Sequence, residues 1–337
     1  MSTTQHVWAL ILAGGDGTRL RALTTKPCGT AVPKQFCSLD GGRSLLEEAI
    51  ARAARVVVPE RICTIVAQQH HQWWSECREL ARLPSENLIV QPRNRGTGIG
   101  VLYGVLHILA RDPHARILIL PSDHFVRDES VLRDALVTVL DRVEEGRHRP
   151  VLLGMEPDQV DTDLGYVLPG GPDPMGGQTV AEFIEKPTPE VAARLIEQGG
   201  LWNTFIIAAH ASTISELFLP RFSSLVMEMK VILSHAFDVG LPAGGWPALV
   251  ALYARLPDLD FSRDILADKA ASLCVWRVPP CGWSDLGTPR RVGETLQRLR
   301  IQRRHDAPAH WEPTNYLNLA RQHEELERLG KLHAPYA

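Results

Sequence analysis

The chain has 337 residues, 45% of them hydrophobic and 22% charged, enough apolar material for one large core at an ordinary globular balance. A formal net charge of −3 leaves no global positive field to attract nucleic acid. The early apolar run Val7–Ala13 is too short to cross a membrane and Met1 to Gln5 carry no basic stretch, so neither nucleic acid nor membrane is an expected partner and the expected location is the cytoplasm.

Val7–Ala13 is unbroken and apolar, as in a parallel strand covered on both faces. A Gly-rich turn follows it. Within Ser44–Val57, Leu45, Leu46, Ala49, Ile50 and Ala53 recur at helical spacing. Arg61–Ala67 reads as strand, His71–Arg82 as helix and Asn87–Gln91 as a short strand. Gly96–Ala110 reads as helix, Arg116–Leu120 as a strand closed by Pro121, Glu129–Glu145 as helix and Val151–Met155 as strand. This alternation predicts an α/β protein with a Rossmann-like, open, mixed but mostly parallel sheet flanked by helices.

The second half is less regular. Gly and Pro crowd Thr162–Pro187, which reads as a hairpin or irregular strand. Pro189–Gln198 is helical, Trp202–Ala208 strand-like, Ala211–Phe237 and Pro247–Ala254 helical, and Ser272–Val278 a strand. Pro289–Arg304 begins another helix, and a polar tail holds a last one over Asn315–Leu329. No repeat or low-complexity linker divides the chain, so the second half is expected to extend the same sheet. Cys28, Cys37, Cys63, Cys77, Cys274 and Cys281 form no CxxC pair and have no suitably spaced histidine. Reduced thiols fit them better than a zinc site or a disulfide framework.

Leu12-Ala13-Gly14-Gly15-Asp16-Gly17-Thr18-Arg19-Leu20 follows a buried strand and ends in a cation. Its glycines let backbone N–H groups approach an anion, and Arg19 offers a fork for phosphate oxygens. The glycines alone would equally suit a tight strand-to-helix turn. The segment is neither GxGxxG nor a P-loop, which argues against a dinucleotide-dependent dehydrogenase. Pro33-Lys34-Gln35-Phe36 lies a short loop later, so Lys34 can reach the same pocket, although a lone lysine is usually solvated.

Together these two segments resemble the signature of the sugar-1-phosphate nucleotidyltransferases (nucleotide-sugar pyrophosphorylases), and PKQF in particular is similar to bacterial mannose-1-phosphate guanylyltransferases. Further stretches match in order over roughly residues 7 to 290. Gln91-Pro92-Arg93-Asn94-Arg95-Gly96-Thr97-Gly98 is similar to the family's base-recognition segment, and Pro121-Ser122-Asp123-His124 to its first metal segment. Gly165-Tyr166 and Glu185-Lys186-Pro187 resemble its sugar-phosphate segments, and Trp283-Ser284-Asp285-Leu286-Gly287 its second metal segment.

The resemblance implies the nucleotide-diphospho-sugar transferase fold over residues 1–290, with a nucleotide-binding half to about 150, a sugar-phosphate half to 290 and a small helical extension over 291–337. It implies transfer of a nucleotidyl group, GMP from GTP favoured, to a sugar 1-phosphate, mannose 1-phosphate favoured. Leu12, Ala13, Gly14, Gly15, Gly17, Thr18, Gln91, Asn94, Arg95, Gly96, Thr97 and Ser122 would bind the nucleotide. Arg19 and Lys34 would be catalytic, neutralising the triphosphate. Gly165, Tyr166, Glu185, Lys186, Asn203 and Asp260 would bind the sugar phosphate. A homo-oligomer is compatible with the family.

The residues have readings of their own. Asp123 follows a strand at its carboxyl end, where ligands of open α/β sheets gather, but a turn or helix cap would also use an aspartate there. Asp285 lies in a Gly-containing turn. Together they could hold one Mg²⁺, a hard ion that takes a few carboxylates plus phosphate oxygens and water. Thr97 and Gly98 at a helix start would leave N–H groups free for a ligand. Glu185 and Lys186 could equally be a solvated pair.

The chain departs from the family in several places. Where guanylyltransferases carry Trp-Asn-Ser-Gly-Met-Phe, it reads Trp202-Asn203-Thr204-Phe205-Ile206-Ile207. Phe205 replaces a glycine, which should fill space near the sugar or shift the backbone. The loop Arg21–Val32 is longer by residues such as Lys26, Pro27, Cys28 and Gly29. The Ile-Asp-Tyr segment becomes Leu259-Asp260-Phe261, with Ile265 where a later Glu is expected. At this length no second, isomerase domain is expected. Two other functions compete: a nucleotidyltransferase for another base or sugar, and a non-catalytic paralogue that binds a nucleotide sugar. The full set of Arg19, Lys34, Asp123, Lys186 and Asp285 speaks against the latter.

Overall fold

Strand β1 (Val7–Ala13) is apolar throughout because both of its faces are covered. Val7, Ala9, Ile11 and Ala13 point into one hydrophobic layer. Trp8 and Leu10 point into another. In the computed structural model, which describes residues 6–26, 28–146, 149–174, 176–238, 247–303, 318–329 and 331, this two-sided burial organises the fold.

After β1 come α1 (Arg21–Thr24), α2 (Leu45–Ala53), β2 (Ile62–Ala67), α3 (His71–Trp74), β3 (Leu88–Gln91) and α4 (Gly96–Arg111). Then come β4 (Arg116–Pro121), α5 (Glu129–Gly146), β5 (Val151–Met155), β6 (Tyr166–Pro172), β7 (Gln178–Ile184) and α6 (Pro189–Glu197). The chain continues through β8 (Leu201–His210), α7 (Ala211–Asp238), α8 (Pro247–Arg255), β9 (Cys274–Arg277), α9 (Pro289–Arg303) and α10 (Leu319–Arg328). The nine strands form one sheet in the order β3-β2-β1-β4-β8-β5-β9-β7-β6, with β6 also pairing to β8. Its first part, β3-β2-β1-β4, is parallel. The β6–β7 hairpin and β8 are joined antiparallel, and β5 pairs parallel with β9. The mixed α/β sheet is as the alternation predicts.

Helices α2 and α5 cover one face and α4, α7 and α8 the other. Ser44 starts α2 with a capping box: its hydroxyl accepts from the Glu47 N–H at 3.3 Å, and Glu47 Oε2 accepts from the Ser44 N–H at 2.9 Å. The stretch His71–Arg82 is not one helix. It forms α3 and a separate 3₁₀ turn at Leu80–Arg82. Its helical spacing reflects real burial of Trp73, Cys77 and Leu80. So short a helix is marginal by itself, and anchors such as the Trp74 indole Nε1–H on the Ala67 carbonyl at 3.0 Å decide the path. Pro220 interrupts α7, whose backbone breaks at Phe222.

The order 3-2-1-4 places a topological switch point between β1 and β4, and ligands of open α/β sheets bind outside the carboxyl ends there. Gly14–Gly17 follow β1 and Ser122–Asp123 follow β4. The tail returns to this region. The Leu319 N–H donates to the Ser38 carbonyl at 2.7 Å and the Ala320 N–H to that of Leu39 at 3.0 Å, so α10 is laid against the segment after Lys34–Phe36. Arg304 and residues 315–317 of the expected tail elements, and Pro27 of the long loop, lie outside the described residues. The described part of that loop is a tight turn, with Thr25 bridged to Ala31 and Lys26 Nζ 4.5 Å above the Trp73 ring.

Candidate active site

A cleft of about 380 Å³ opens at the switch point, within the usual size range for small-ligand sites. Gly14, Gly15, Gly17 and Arg19 form one wall. Their loop is fixed from outside. Gln35 Nε2 donates to the carbonyls of Ala13 and Gly15, both at 2.9 Å. Asp16 Oδ1 accepts from Gln69 Nε2 at 2.7 Å and pairs with His70 Nε2 at 3.0 Å, while its Oδ2 accepts from Asn94 Nδ2 at 3.2 Å. Gly17 turns at φ 60° against the Lys34 backbone, where a Cβ would stand 3.0 Å from the Lys34 nitrogen. Thr18 begins the following 3₁₀ turn and Ala13 is buried beneath the loop.

Leu12, Gln91, Asn94, Gly96, Thr97 and Ser122 line the adjoining part of the cleft. Gln91 is buried and packs so closely on Gly14 that a Cβ there would overlap its amide. Tyr253 donates to its Oε1 at 3.3 Å, which orients that amide. Two expectations need correction. The Gly98 N–H is not free at the start of α4: it donates to the Leu259 carbonyl at 2.7 Å. The Gly96 N–H likewise goes to Asn94 Oδ1 at 3.0 Å. Arg95 turns away from the cleft. Its guanidinium donates to the Tyr253 and Ala254 carbonyls at 3.1 and 3.4 Å and pairs with Asp258 at 3.4 Å. The exposed end of α8 competes for this fork, which the sequence cannot show.

The charged residues meet at the far end of β1 and β4. Lys34 is buried, with its Nζ 3.1 Å from Asp123 Oδ2 and donating to the Asp285 carbonyl. One ammonium therefore joins two turns separated by nearly half the chain. A Cβ added at Gly287 would overlap Asp285 Oδ2 and lie 3.5 Å from Arg19 Nη1, so the Arg19 fork reaches the same spot. Among the described residues, Arg19 otherwise makes a solvent-exposed pair with Asp163 at 3.4 Å, a contact too weak to hold it against a phosphate. Burial pushes the Asp123 carboxyl up, but Lys34, His124 and Arg19 together hold it below its ordinary value. Burial presses the His124 imidazole down to about 4. Trp283 Nε1 donates to its Nδ1 at 3.2 Å, so its proton sits on Nε2, on the side of Asp123.

Behind this cluster, the buried Arg291 pairs with Asp161 at 2.7 Å and lies 3.4 Å from Asp285 Oδ1, with its guanidinium 4.5 Å over the Trp202 ring. Asp285 Oδ1 is buried and makes no hydrogen bond among the described residues. The two carboxylates fit a Mg²⁺ ion. They are hard oxygen donors, one is open to the cleft, and the other has a buried oxygen lacking a hydrogen bond. Among the described residues no group of three or more His, Cys, Asp or Glu could hold a metal alone, so phosphate oxygens and water would complete the shell.

Of the expected sugar-phosphate residues, Asp260 reaches the cleft, while Gly165, Glu185, Lys186 and Asn203 are not among the residues that line it. Asp260 lines the cleft, its Oδ1 accepting from the Arg263 N–H at 2.9 Å. The Glu185 carboxylate fills the space above Gly165, where a Cβ would overlap it. Burial and the charge of Asp260 raise Glu185 to about 7, against the pull of Lys186, Arg263 and Arg19. Asn203 is buried between Ser262 Oγ at 3.3 Å and the Phe205 N–H at 3.1 Å, so its amide shapes the turn. Tyr166 requires correction. It is fully buried in the core, and its hydroxyl accepts from the Asp161 N–H at 3.0 Å, because β6 turns this side chain inward.

Among the described residues, the non-glycine residues with positive φ are Lys186 at 51°, Phe205 at 59° and Leu286 at 49°. Each falls in one of the motifs read from the sequence, and such strain collects at functional sites. Reading the sequence for charge and glycine alone overlooked Asp16, Gln35, His124 and Arg291. The first three stand inside quoted motifs and were legible by adjacency. Arg291 gave no local signal.

A family model described as nucleotidyl transferase matches residues 8–300. The alginate biosynthesis protein AlgA of Pseudomonas aeruginosa is 28% identical, over 83% of this chain and 56% of its own length. A mannose-1-phosphate guanylyltransferase of Escherichia coli is 27% identical, over 84% of this chain and 58% of its own. The chain thus spans about half the length of the curated relatives it matches. Among solved structures, a mannose-1-phosphate geranyltransferase from Thermus thermophilus superposes with a TM-score of 0.70 at 28% identity, covering 87% of this chain and 79% of that one. A UDP-glucose pyrophosphorylase solved with UDP-glucose shares the fold at a TM-score of 0.54 and 14% identity. No helix among the described residues is long and apolar enough to cross a membrane.

Proposed function

The chain belongs to the nucleotidyl transferase family, and on that premise we propose that it transfers a nucleotidyl group from a nucleoside triphosphate to a sugar 1-phosphate, with GTP and mannose 1-phosphate the favoured pair. The observation that carries this reading is Lys34 Nζ, held between Asp123 and the Asp285 turn with Arg19 alongside.

A phosphate oxygen of the sugar 1-phosphate attacks the α-phosphorus of the triphosphate. The new P–O bond forms as the α–β bridging bond breaks, and pyrophosphate leaves with the electron pair. The nucleophile is already ionised near neutral pH, so the reaction asks little of a general base and much of positioning and charge neutralisation. Mg²⁺, held by Asp123 and Asp285, would supply neutralisation of the phosphate oxygens. Arg19 and Lys34 neutralise the triphosphate. Gly14, Gly15 and Gly17 bring backbone close to it, and Lys186 holds the sugar phosphate. Glu185, with a carboxyl raised to about 7, can both donate to and accept from sugar hydroxyls. The relatives' names support the guanine and mannose assignment.

The test follows pyrophosphate release with each of four triphosphates against a panel of sugar 1-phosphates in the presence of Mg²⁺. Turnover highest with GTP and mannose 1-phosphate is expected. Release with a different pair would correct the specificity, and release with none would sink the proposal.

A further inference from the structure

Phe205 holds a backbone conformation that bulky side chains rarely adopt, with φ at 59°. The surroundings leave it little freedom to relax. Its N–H donates to Asn203 Oδ1 at 3.1 Å, the next N–H donates to Thr204 Oγ1 at 3.2 Å, and the Thr204 hydroxyl donates to the Leu153 carbonyl at 2.6 Å. Glycine would meet the same backbone at no steric cost. The ring is also not ordinary core filling. It is half-buried and lines the cleft. Phe261 supports it at 5.9 Å between centroids, and Phe261 in turn stacks on Phe218 at 5.8 Å. Asp260 precedes Phe261 and lines the same cleft, and the Phe261 N–H is tied to Thr97 Oγ1 at 2.8 Å. The ring therefore stands where the nucleotide wall meets the wall carrying Asp260, and a row of aromatics behind it prevents retreat.

We propose that Phe205 is a specificity-determining residue, whose ring narrows the acceptor end of the cleft and restricts the enzyme to sugar 1-phosphates with no hydroxyl or larger substituent where the ring lies. A hydroxyl pressed against the ring would lose its water without gaining a partner, and a larger group would overlap a side chain that cannot move away. This inference rests on the proposed transferase function and adds the reason for a narrow acceptor range.

The experiment compares wild type, Phe205→Gly and Phe205→Tyr by kcat/KM over the 1-phosphates of mannose, glucose, galactose, N-acetylglucosamine and a 6-deoxyhexose, with the best triphosphate. Phe205→Gly should raise the poorest acceptors at least tenfold relative to the best one, and Phe205→Tyr should keep the wild-type ranking. Phe205→Asn, a smaller residue that tolerates this φ, should broaden the range in the same way if the glycine variant fails to fold. An unchanged ranking in folded Phe205→Gly or Phe205→Asn, with all rates moved by one factor, would overturn the role of Phe205 and leave the transferase reading standing. No turnover by wild type on any acceptor would overturn that reading, and this inference with it.

Discussion

On the nucleotide side of the cleft the left-handed turns are made by glycines, Gly17 at φ 60° and Gly96 at 78°. On the side of Asp260 and Asp285, besides Gly282 at 67°, left-handed turns are also made by residues with side chains, Lys186, Phe205 and Leu286. Glycine brings backbone close to a ligand and carries no chemistry of its own. A side chain held left-handed costs about 1–2 kcal/mol, and it places a cation or a ring at a fixed angle. The first solution suits the phosphates shared by every nucleoside triphosphate. On the proposed function, the second would suit an acceptor that has to be distinguished from its isomers, at a site where strain collects.

The largest expected effect lies on the seam between the two walls. Asp123→Asn or Asp285→Asn should lower kcat/KM by roughly 10²- to 10⁴-fold, about 3–5 kcal/mol of transition-state stabilisation. Near-normal pyrophosphate release in both variants would remove the aspartates from the chemistry. Next comes the glycine wall. In Gly96→Ala the new Cβ would overlap the Leu259 carbonyl at a positive φ, at a cost of about 2–4 kcal/mol in urea unfolding. An unfolding midpoint equal to wild type would mean that the close approach is not required.

The opposite exchange sharpens the contrast. Lys186→Gly relieves a φ of 51° and should leave stability unchanged or higher by up to about 1 kcal/mol. The same variant should raise KM for the sugar phosphate about tenfold, because the cation is gone. A loss of stability without a change in KM would assign Lys186 to the fold.

A pH dependence completes the set. The folded Glu185 carboxyl sits at about 7 against an ordinary 4.5, so between these values the folded state binds more protons than the unfolded one. Its contribution to stability therefore falls as pH rises from 4.5 to 7. Glu185→Gln should flatten that part of the melting-temperature profile. Parallel profiles for the two proteins would show that the carboxyl is not held in its neutral form.

Much of the parallel half was legible in the sequence, because strands such as Val7–Ala13 are apolar on both faces and their helices repeat at 3.6 residues. The glycine turn, Lys34, Asp123 and Asp285 were legible as motifs. Short elements were not. The stretch His71–Arg82 has helical spacing but too little length to form a helix against competing anchors. Side-chain direction was also hidden. Tyr166 points into the core, Arg95 reaches back to α8, and the Gly98 N–H is taken by Leu259.

The residues alone determined which strands would be buried, where the chain would turn and which charges could serve a phosphate, since these follow from local composition and spacing. Only the assembled sheet decided that Lys34 would join Asp123 to the Asp285 turn and that Arg291 would stand behind Asp285. It also decided that Phe205 would keep a glycine-like backbone with its ring in the cleft. Such contacts link residues far apart in the chain, and their geometry is set by the packing of strands β4, β8 and β5 and their flanking layers. No short stretch of sequence carries that information.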